Sequence, residues 1–233
     1  MNLPNFLDMI GFSRQRLNFR ETYISGIGGF LGIFGIFMSS LWLLDPAVAI
    51  YIVPSMGASA VLLFASPHSP FTQPWNVIAG HLFSAIVGVA CWYWIPNNAV
   101  AASAAVGLAI SVMVFTRSIH PPGGATALAA VIGSEKLHNM GYNYVLQTIL
   151  LGAVTILLVA IVYNGIFKWR RYPSHLHFRE QTAQSVVVTN EAISHEDFVY
   201  ALSCIDTFVD IDEGDLLKIY DLATKRHKEK SNA

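Results

Sequence analysis

The chain has 233 residues, of which 54% are hydrophobic and 12% charged, with a formal net charge of −1. An ordinary soluble domain carries about 25% charged residues, so this composition excludes a soluble globular protein over most of the length. Without Lys and Arg clustered beside exposed aromatics it also excludes a nucleic-acid surface.

The charge is confined to the two ends: between Thr22 and Phe167 the only Asp, Glu, Lys or Arg are Asp45, Arg117, Glu135 and Lys136. Residues 1–20 do not read as a cleavable signal, because Arg14, Arg16 and Arg20 follow the weakly apolar start and no small-residue cleavage site comes after them. Leu3, Phe6, Leu7 and Ile10 fall at i, i+3, i+4 and i+7, the pattern of a short helix lying in the membrane interface; a frayed terminus is the alternative. Four apolar runs follow, 22–44, 75–95, 99–116 and 144–167. Each meets the requirement of about 20 residues for crossing a hydrocarbon core as a helix. Two more runs are broken: 47–65 contains Pro54, and 119–133 opens with His120, Pro121, Pro122, Gly123 and Gly124. Proline removes a backbone donor and crowds the preceding turn, so in each broken run the helix is expected to begin just after the prolines, near Met56 and Gly123, with the upstream residues extended.

From about Lys168 the composition becomes that of a soluble appendage. Ser185–Thr189 reads as a short strand, and 194–208 and 213–227 read as amphipathic helices with Phe198, Leu202, Ile205, Leu216, Ile219 and Tyr220 inward. The acids Asp206, Asp210, Asp212, Glu213 and Asp215 lack the glycine and bidentate glutamate of an EF-hand and fit a solvated helix start better. No metal or cofactor is expected, and Cys91 and Cys204 sit in surroundings too different for a disulfide. The expected division is an N-terminal segment 1–20, a transmembrane domain 21–168 and a small α/β or mainly α cytoplasmic appendage 169–233. An appendage of that size is marginal alone, so a homo-oligomer, most simply a dimer, is expected.

The two broken runs resemble one another. Pro54-x-x-Gly57-Ala58-Ser59-Ala60 aligns with Pro121-x-x-Gly124-Ala125-Thr126-Ala127, and at the same offset Trp75-Asn76 falls on Tyr142-Asn143. Each half is then a long helix, a proline-broken helix and a second long helix. Three is odd, so the halves insert in opposite senses. The expected fold is thus an all-α polytopic membrane protein of two inverted three-helix repeats, with four full spans and two half-helix elements. Six crossings with a cytoplasmic N-terminus put Asp45 outside, Arg117 inside, Glu135 and Lys136 outside, and Lys168, Arg170 and Arg171 inside, which violates the positive-inside rule only at Lys136. Re-entrant hairpins would give four crossings and place Arg117 outside; six is preferred. The expected location is the plasma membrane, as in a bacterial inner membrane, with both termini cytoplasmic.

Irregular backbone at membrane depth is tolerated only where it is buried in protein or lines a polar cavity, so the broken elements mark a site. Two half-helix N-termini that converge offer backbone N–H groups and positive dipole ends, which bind an anion without a buried Lys or Arg. The candidate binding residues are Ser55, Gly57, Ser59, His120, Gly123, Gly124 and Thr126; glycines permit close approach, and the hydroxyls donate hydrogen bonds. His81, inside a span, and His120 are ionisable groups at membrane depth. His81, Asn76 and Arg117 are assigned to the pathway or its gate, against plainer roles as a satisfied core imidazole, a helix cap and a topological anchor. Trp42, Trp92, Trp94 and Trp169 read as interfacial anchors.

The motif His120-Pro121-Pro122-Gly123-Gly124-Ala125-Thr126-Ala127, with Pro54-Ser55-Met56-Gly57-Ala58-Ser59-Ala60 and Pro74-Trp75-Asn76-Val77-Ile78-Ala79-Gly80-His81, resembles the HPP family of integral membrane proteins over roughly residues 20–168. The resemblance implies four membrane spans. Through the family's cyanobacterial and plastid members it also implies nitrite, or a similar monovalent anion such as nitrate, as the transported species. The appendage lies outside it.

The expected function is therefore membrane passage of a small inorganic anion by a protein that is not an enzyme. Two alternatives belong to other classes: an intramembrane serine hydrolase using Ser59 and His81, and a membrane scaffold or sensor acting through the appendage.

Overall fold

The computed structural model describes residues 19–43 and 53–176, which from Tyr23 onward belong to one compact unit, residues 23–187. The interfacial helix, Asp45, the strand, both amphipathic helices, the acidic cluster and Cys204 lie outside the described residues.

Among the described residues the chain is all helix: α1 Phe19–Leu43, α2 Val53–Ala65, α3 Pro74–Trp94, α4 Asn98–Phe115, α5 Pro122–Ile132, α6 Glu135–Met140 and α7 Leu150–Gly165, the last entered through a π-helical stretch, Tyr144–Ile149. α1, α3, α4 and Tyr144–Gly165 have 25, 21, 18 and 22 residues and are long and apolar enough to cross a membrane. α2 and α5, with 13 and 11 residues, reach only about 20 and 17 Å at 1.5 Å per residue, short of a core about 30 Å thick. Both begin slightly earlier than expected, with proline inside the first turn, where its missing N–H costs nothing: Pro54 is the second residue of α2 and Pro122 the first of α5, and Pro121 before it is helical rather than extended. Ordinary caps set other boundaries. Asn97 accepts from the amides of Ala99 and Val100 at the start of α4, and Ser134 accepts from Leu137 at α6.

Side-chain contacts fix the helix directions. Asn76 at the start of α3 donates to Ile119 O, and Trp75 donates to Thr116 O beyond the end of α4, so α3 and α4 are antiparallel. α5 runs alongside α3 in the same sense, with His120 against Gly80 and Ala127 and Ala130 against Gly88. α7 returns from Tyr93, which faces Gly141, to the side where its Asn164 donates to Leu63 O at the end of α2. α1 is antiparallel to α7, pairing Gly28 with Tyr163 and Ser39 with Thr155. Arg117, Lys168, Arg170 and Arg171 therefore share one face of the bundle, the basic face, while Glu135 and Lys136 lie toward the other. The succession long, short, long occurs twice, and α1, α2 and α3 each run opposite to α4, α5 and α7 respectively.

α3 is the central helix. Half of its apolar window is buried, against 22% for α1 and for α4, and it packs on α4, α5 and α7. Its glycines allow this: a Cβ on Gly88 would lie 2.5 Å from Ala127 O and 2.8 Å from Ala130 Cβ, so the α3 and α5 backbones touch. α4 presents Ala101, Ala105, Ala109 and Met113 inward, at four-residue spacing, to this pair. The opposite surfaces carry exposed Leu108, Ile110, Val114, Phe115, Leu158 and Val162, as bilayer-facing helices must.

The membrane unit continues beyond Lys168. Arg170 is buried and bonds Phe64 O and Asn164 Oδ1. It sits on the carbonyl end of α2, where a cation satisfies orphan carbonyls and the negative dipole end. Tyr172 donates to Thr72 O, and Ser174 donates to Gln73 Oε1.

Candidate functional site

α2, α3 and α5 meet around two imidazoles. His81, two turns into α3, and His120, just before α5, are both fully buried, with ring centroids 4.8 Å apart. Ser59 of α2 lies between them, its Oγ 2.9 Å from His81 Nε2 and 2.8 Å from His120 Nε2. On its far side, His81 Nδ1 is 2.7 Å from Thr126 Oγ1 of α5. His120 Nδ1 is 2.8 Å from Phe71 O in the loop before α3. Ser59 and Thr126, the hydroxyls that align between the two proline-led segments, thus hold opposite nitrogens of one histidine.

The tautomers follow from Phe71. A carbonyl only accepts, so His120 Nδ1 carries hydrogen, and neutral His120 must accept at Nε2. Ser59 then donates its single proton to His120. It must in turn accept from His81 Nε2–H, leaving His81 Nδ1 to accept from Thr126. The result is a directed chain, Thr126 to His81 to Ser59 to His120 to Phe71 O, in which every bond is made with no net charge. Each hydroxyl also has a second acceptor one turn back, Ser55 O at 3.2 Å from Ser59 and Pro122 O at 3.3 Å from Thr126. Ser55 and Pro122 occupy corresponding positions when the two proline-led segments are aligned.

The turn that delivers His120 is tightly made. Arg117 N donates to Val114 O and Ser118 N to Met113 O, the paired bonds of a Schellman ending to α4. Arg117 takes the left-handed position, φ 53°, with its side chain exposed. Asn76 then holds Ile119 O at 3.0 Å; its observed role is to pin this turn.

Of the remaining candidates, Ser55 is buried and contributes its carbonyl. Gly123 packs against α3: a Cβ there would come 2.7 Å from Ser84 Oγ and 2.9 Å from Gly80 O. Gly57 and Gly124 point away from the imidazoles. A Cβ on Gly57 meets nothing within 4 Å, and one on Gly124 meets only Val106 of α4 at 4.0 Å. The Gly123 and Gly124 amides, offered to an anion on sequence grounds, donate to His120 O and Pro121 O at 2.8 and 3.1 Å. The donors that converge on the interior are therefore side-chain hydroxyls and imidazoles. Trp92 also differs from its sequence assignment, stacking on His138 at 4.1 Å, whereas Trp42 and Trp94 are exposed at helix ends.

Three parts had not been singled out in the sequence. The Phe71 carbonyl carries no side-chain signal. Arg170 and Asn164, which close the end of α2, look in sequence like ordinary residues at a helix terminus. Ser84, buried with no hydrogen-bond partner, lies three residues beyond His81 on the same helix face, a spacing that does identify it. No group of His, Cys, Asp and Glu able to hold a metal occurs among the described residues.

A transmembrane protein of Dictyostelium discoideum is 39% identical over 165 residues, 69% of this chain and 53% of its own length. A second transmembrane protein of the same organism is 46% identical over 126 residues, 52% of this chain and 44% of its own. The chain thus spans about half the length of the curated relatives it matches. No solved structure matches it. Residues 14–173 match the family described as HPP, transmembrane region, which covers all four spans, both short helices and every residue of the imidazole cluster, and the chain belongs to the HPP family.

Proposed function

We propose that this protein passes a small monovalent inorganic anion across the membrane, nitrite first and nitrate as its nearest competitor. Ser59, His81, His120 and Thr126 form the site and its gate. The observation that carries the reading is the convergence of two repeat-related hydroxyls on one histidine, between two short helices, at membrane depth. Every side chain there has a hydrogen to donate, and none is a carboxylate. Polar groups at that depth are costly and by default functional, and inverted duplications build substrate sites between broken helices. The opposed directions of α1–α2–α3 and α4–α5–α7 support such a duplication. The choice of nitrite rests on the resemblance to cyanobacterial and plastid members of the family. The hydrogen-bonded arrangement, with the rings held by the hydroxyls, is the closed state of the gate; opening requires Ser59 and Thr126 to turn to the carbonyls of Ser55 and Pro122. Arg117, exposed on the basic face, draws anions to the entrance. We place that face in the cytoplasm of a plasma membrane, with the protein a dimer.

One observation favours a second reading, an intramembrane serine hydrolase: Ser59 is hydrogen-bonded to imidazole, as a nucleophile must be. The tautomers make His120 its base, because His81 donates to Ser59 and is not free to accept its proton.

Uptake by proteoliposomes, comparing nitrite, nitrate, formate and chloride with protein-free vesicles, tests the first reading. Nitrite is expected to enter fastest, and Ser59→Ala to slow it while leaving measurable uptake. Equal entry in protein-free vesicles removes the transport reading. Labelling by a fluorophosphonate that Ser59→Ala abolishes establishes the hydrolase instead.

A further inference from the structure

We propose that the His120–Ser59–His81–Thr126 chain is a reversible proton relay that takes up one proton for each anion that passes, making transport electroneutral. The proposal rests on the anion-passage reading above.

The first ground is what surrounds the rings. α2, α3, α4, α5 and α7 contain no Asp, Glu, Lys or Arg. Among the described residues, the groups within bonding distance of the two imidazoles are hydroxyls, one carbonyl and each other's rings. In the loop before α3, His68 bonds Arg171 O at the basic face; on the turn before α5, Arg117 is exposed; and Arg170 is engaged with the carbonyl end of α2. Isolating an anion at mid-depth without a counter-charge is expensive. On these elements the side chains able to carry that charge are His81 and His120.

The second ground is that the chain can reverse. A proton reaching Thr126 Oγ1 displaces the hydroxyl proton onto His81 Nδ1. His81 releases its Nε2 proton to Ser59 Oγ, and Ser59 passes its own to His120 Nε2. One proton has been added, each O–H or N–H bond broken is matched by one formed, and His120 ends as an imidazolium donating to Ser59 and to Phe71 O. Ser59 now donates to His81, His81 donates to Thr126, and Thr126 turns to Pro122 O, the second acceptor already 3.3 Å away. A proton placed on His120 from the basic face is accommodated more simply, by Ser59 turning to Ser55 O at 3.2 Å. No buried donor loses its partner in either arrangement. This gives the carbonyls one turn back from each hydroxyl a specific use. Ser84, one turn beyond His81 and without a partner, is the next polar group along α3 toward the opposite face.

The test uses the full-length protein in proteoliposomes containing a pH-sensitive dye, with an inward sodium nitrite gradient. Membrane potential is clamped by potassium and valinomycin, and the nitrous-acid leak of protein-free vesicles is subtracted. Nitrite uptake should be matched by an equal uptake of protons and should not change with the clamped potential. Ser59→Ala should slow both by about 100-fold, the lower end of what a positioned proton-transfer group contributes. Thr126→Ser should retain coupled uptake, while Thr126→Val should lose it. Nitrite entry that follows the potential, with no proton uptake, overturns the relay and leaves anion passage standing. If no anion enters, the transport reading fails, and nitrogen NMR of the histidine rings in nanodiscs decides the relay on its own. It requires an Nε2–H tautomer at His81, an Nδ1–H tautomer at His120, and one proton shared by the pair on acidification. Other tautomers, or rings that titrate independently, overturn it.

Discussion

At Arg117 the backbone takes φ 53°, a position at a helix C-terminus where glycine is usual and an L-residue costs about 1–2 kcal/mol. Keeping arginine there sacrifices stability and leaves an exposed guanidinium three residues from His120. Arg117→Gly is accordingly expected to stabilise the purified protein by about 1 kcal/mol in reversible unfolding from micelles. It should slow nitrite uptake, and slow it more at low than at high ionic strength, because attraction by an exposed charge is screened. A variant that is less stable, or whose uptake is unchanged at low salt, contradicts this account. His81, His120, Ser59 and Thr126 were legible as candidates because an ionisable ring or a repeated hydroxyl in an apolar run stands out. Their hydrogen-bond roles were not legible, since the Phe71 carbonyl that orients the whole chain belongs to a loop 49 residues away from His120.

Helix against helix, the closest approach is between α3 and α5. Gly88 has no room for a methyl group, its nearest neighbour being a backbone carbonyl that cannot swing aside. Gly88→Ala should therefore destabilise the bundle by about 1–3 kcal/mol, the usual cost of overpacking. Gly57→Ala and Gly124→Ala should be neutral or slightly stabilising, given the open space beside each Cβ and the helix preference for alanine. Thermal unfolding of the three variants in one detergent distinguishes them; equal losses at all three would show that the glycines share a common role. Sequence alone gave Gly57, Gly123 and Gly124 one function, because a motif records which residues are small and not which way they face. Gly123 turns toward α3 and the other two turn away. Both short helices were legible, since proline fixes where a helix begins whatever surrounds it.

For the molecule as a whole, α5 with α6 runs from the basic face to the other face, although α5 alone is too short to span. Single cysteines introduced at Arg117, Lys136 and Lys168, in a background lacking Cys91 and Cys204, report this directly with a membrane-impermeant maleimide in intact cells and inverted vesicles. Arg117→Cys and Lys168→Cys should label from the same side, and Lys136→Cys from the opposite one. Labelling of Arg117→Cys and Lys136→Cys from one side would mean that the α5–α6 segment is re-entrant.

The amino-acid sequence by itself determined that this protein lives in a bilayer, where its long helices lie, and where two helices must start short. Hydropathy and proline act locally, and neither needs a partner to have its effect. Only tertiary structure decided that Ser59 and Thr126 grip opposite nitrogens of His81, that His120 completes the chain, and that Arg170 closes the end of α2. These are contacts between residues far apart in the chain, and their geometry exists only once the helices have packed against one another.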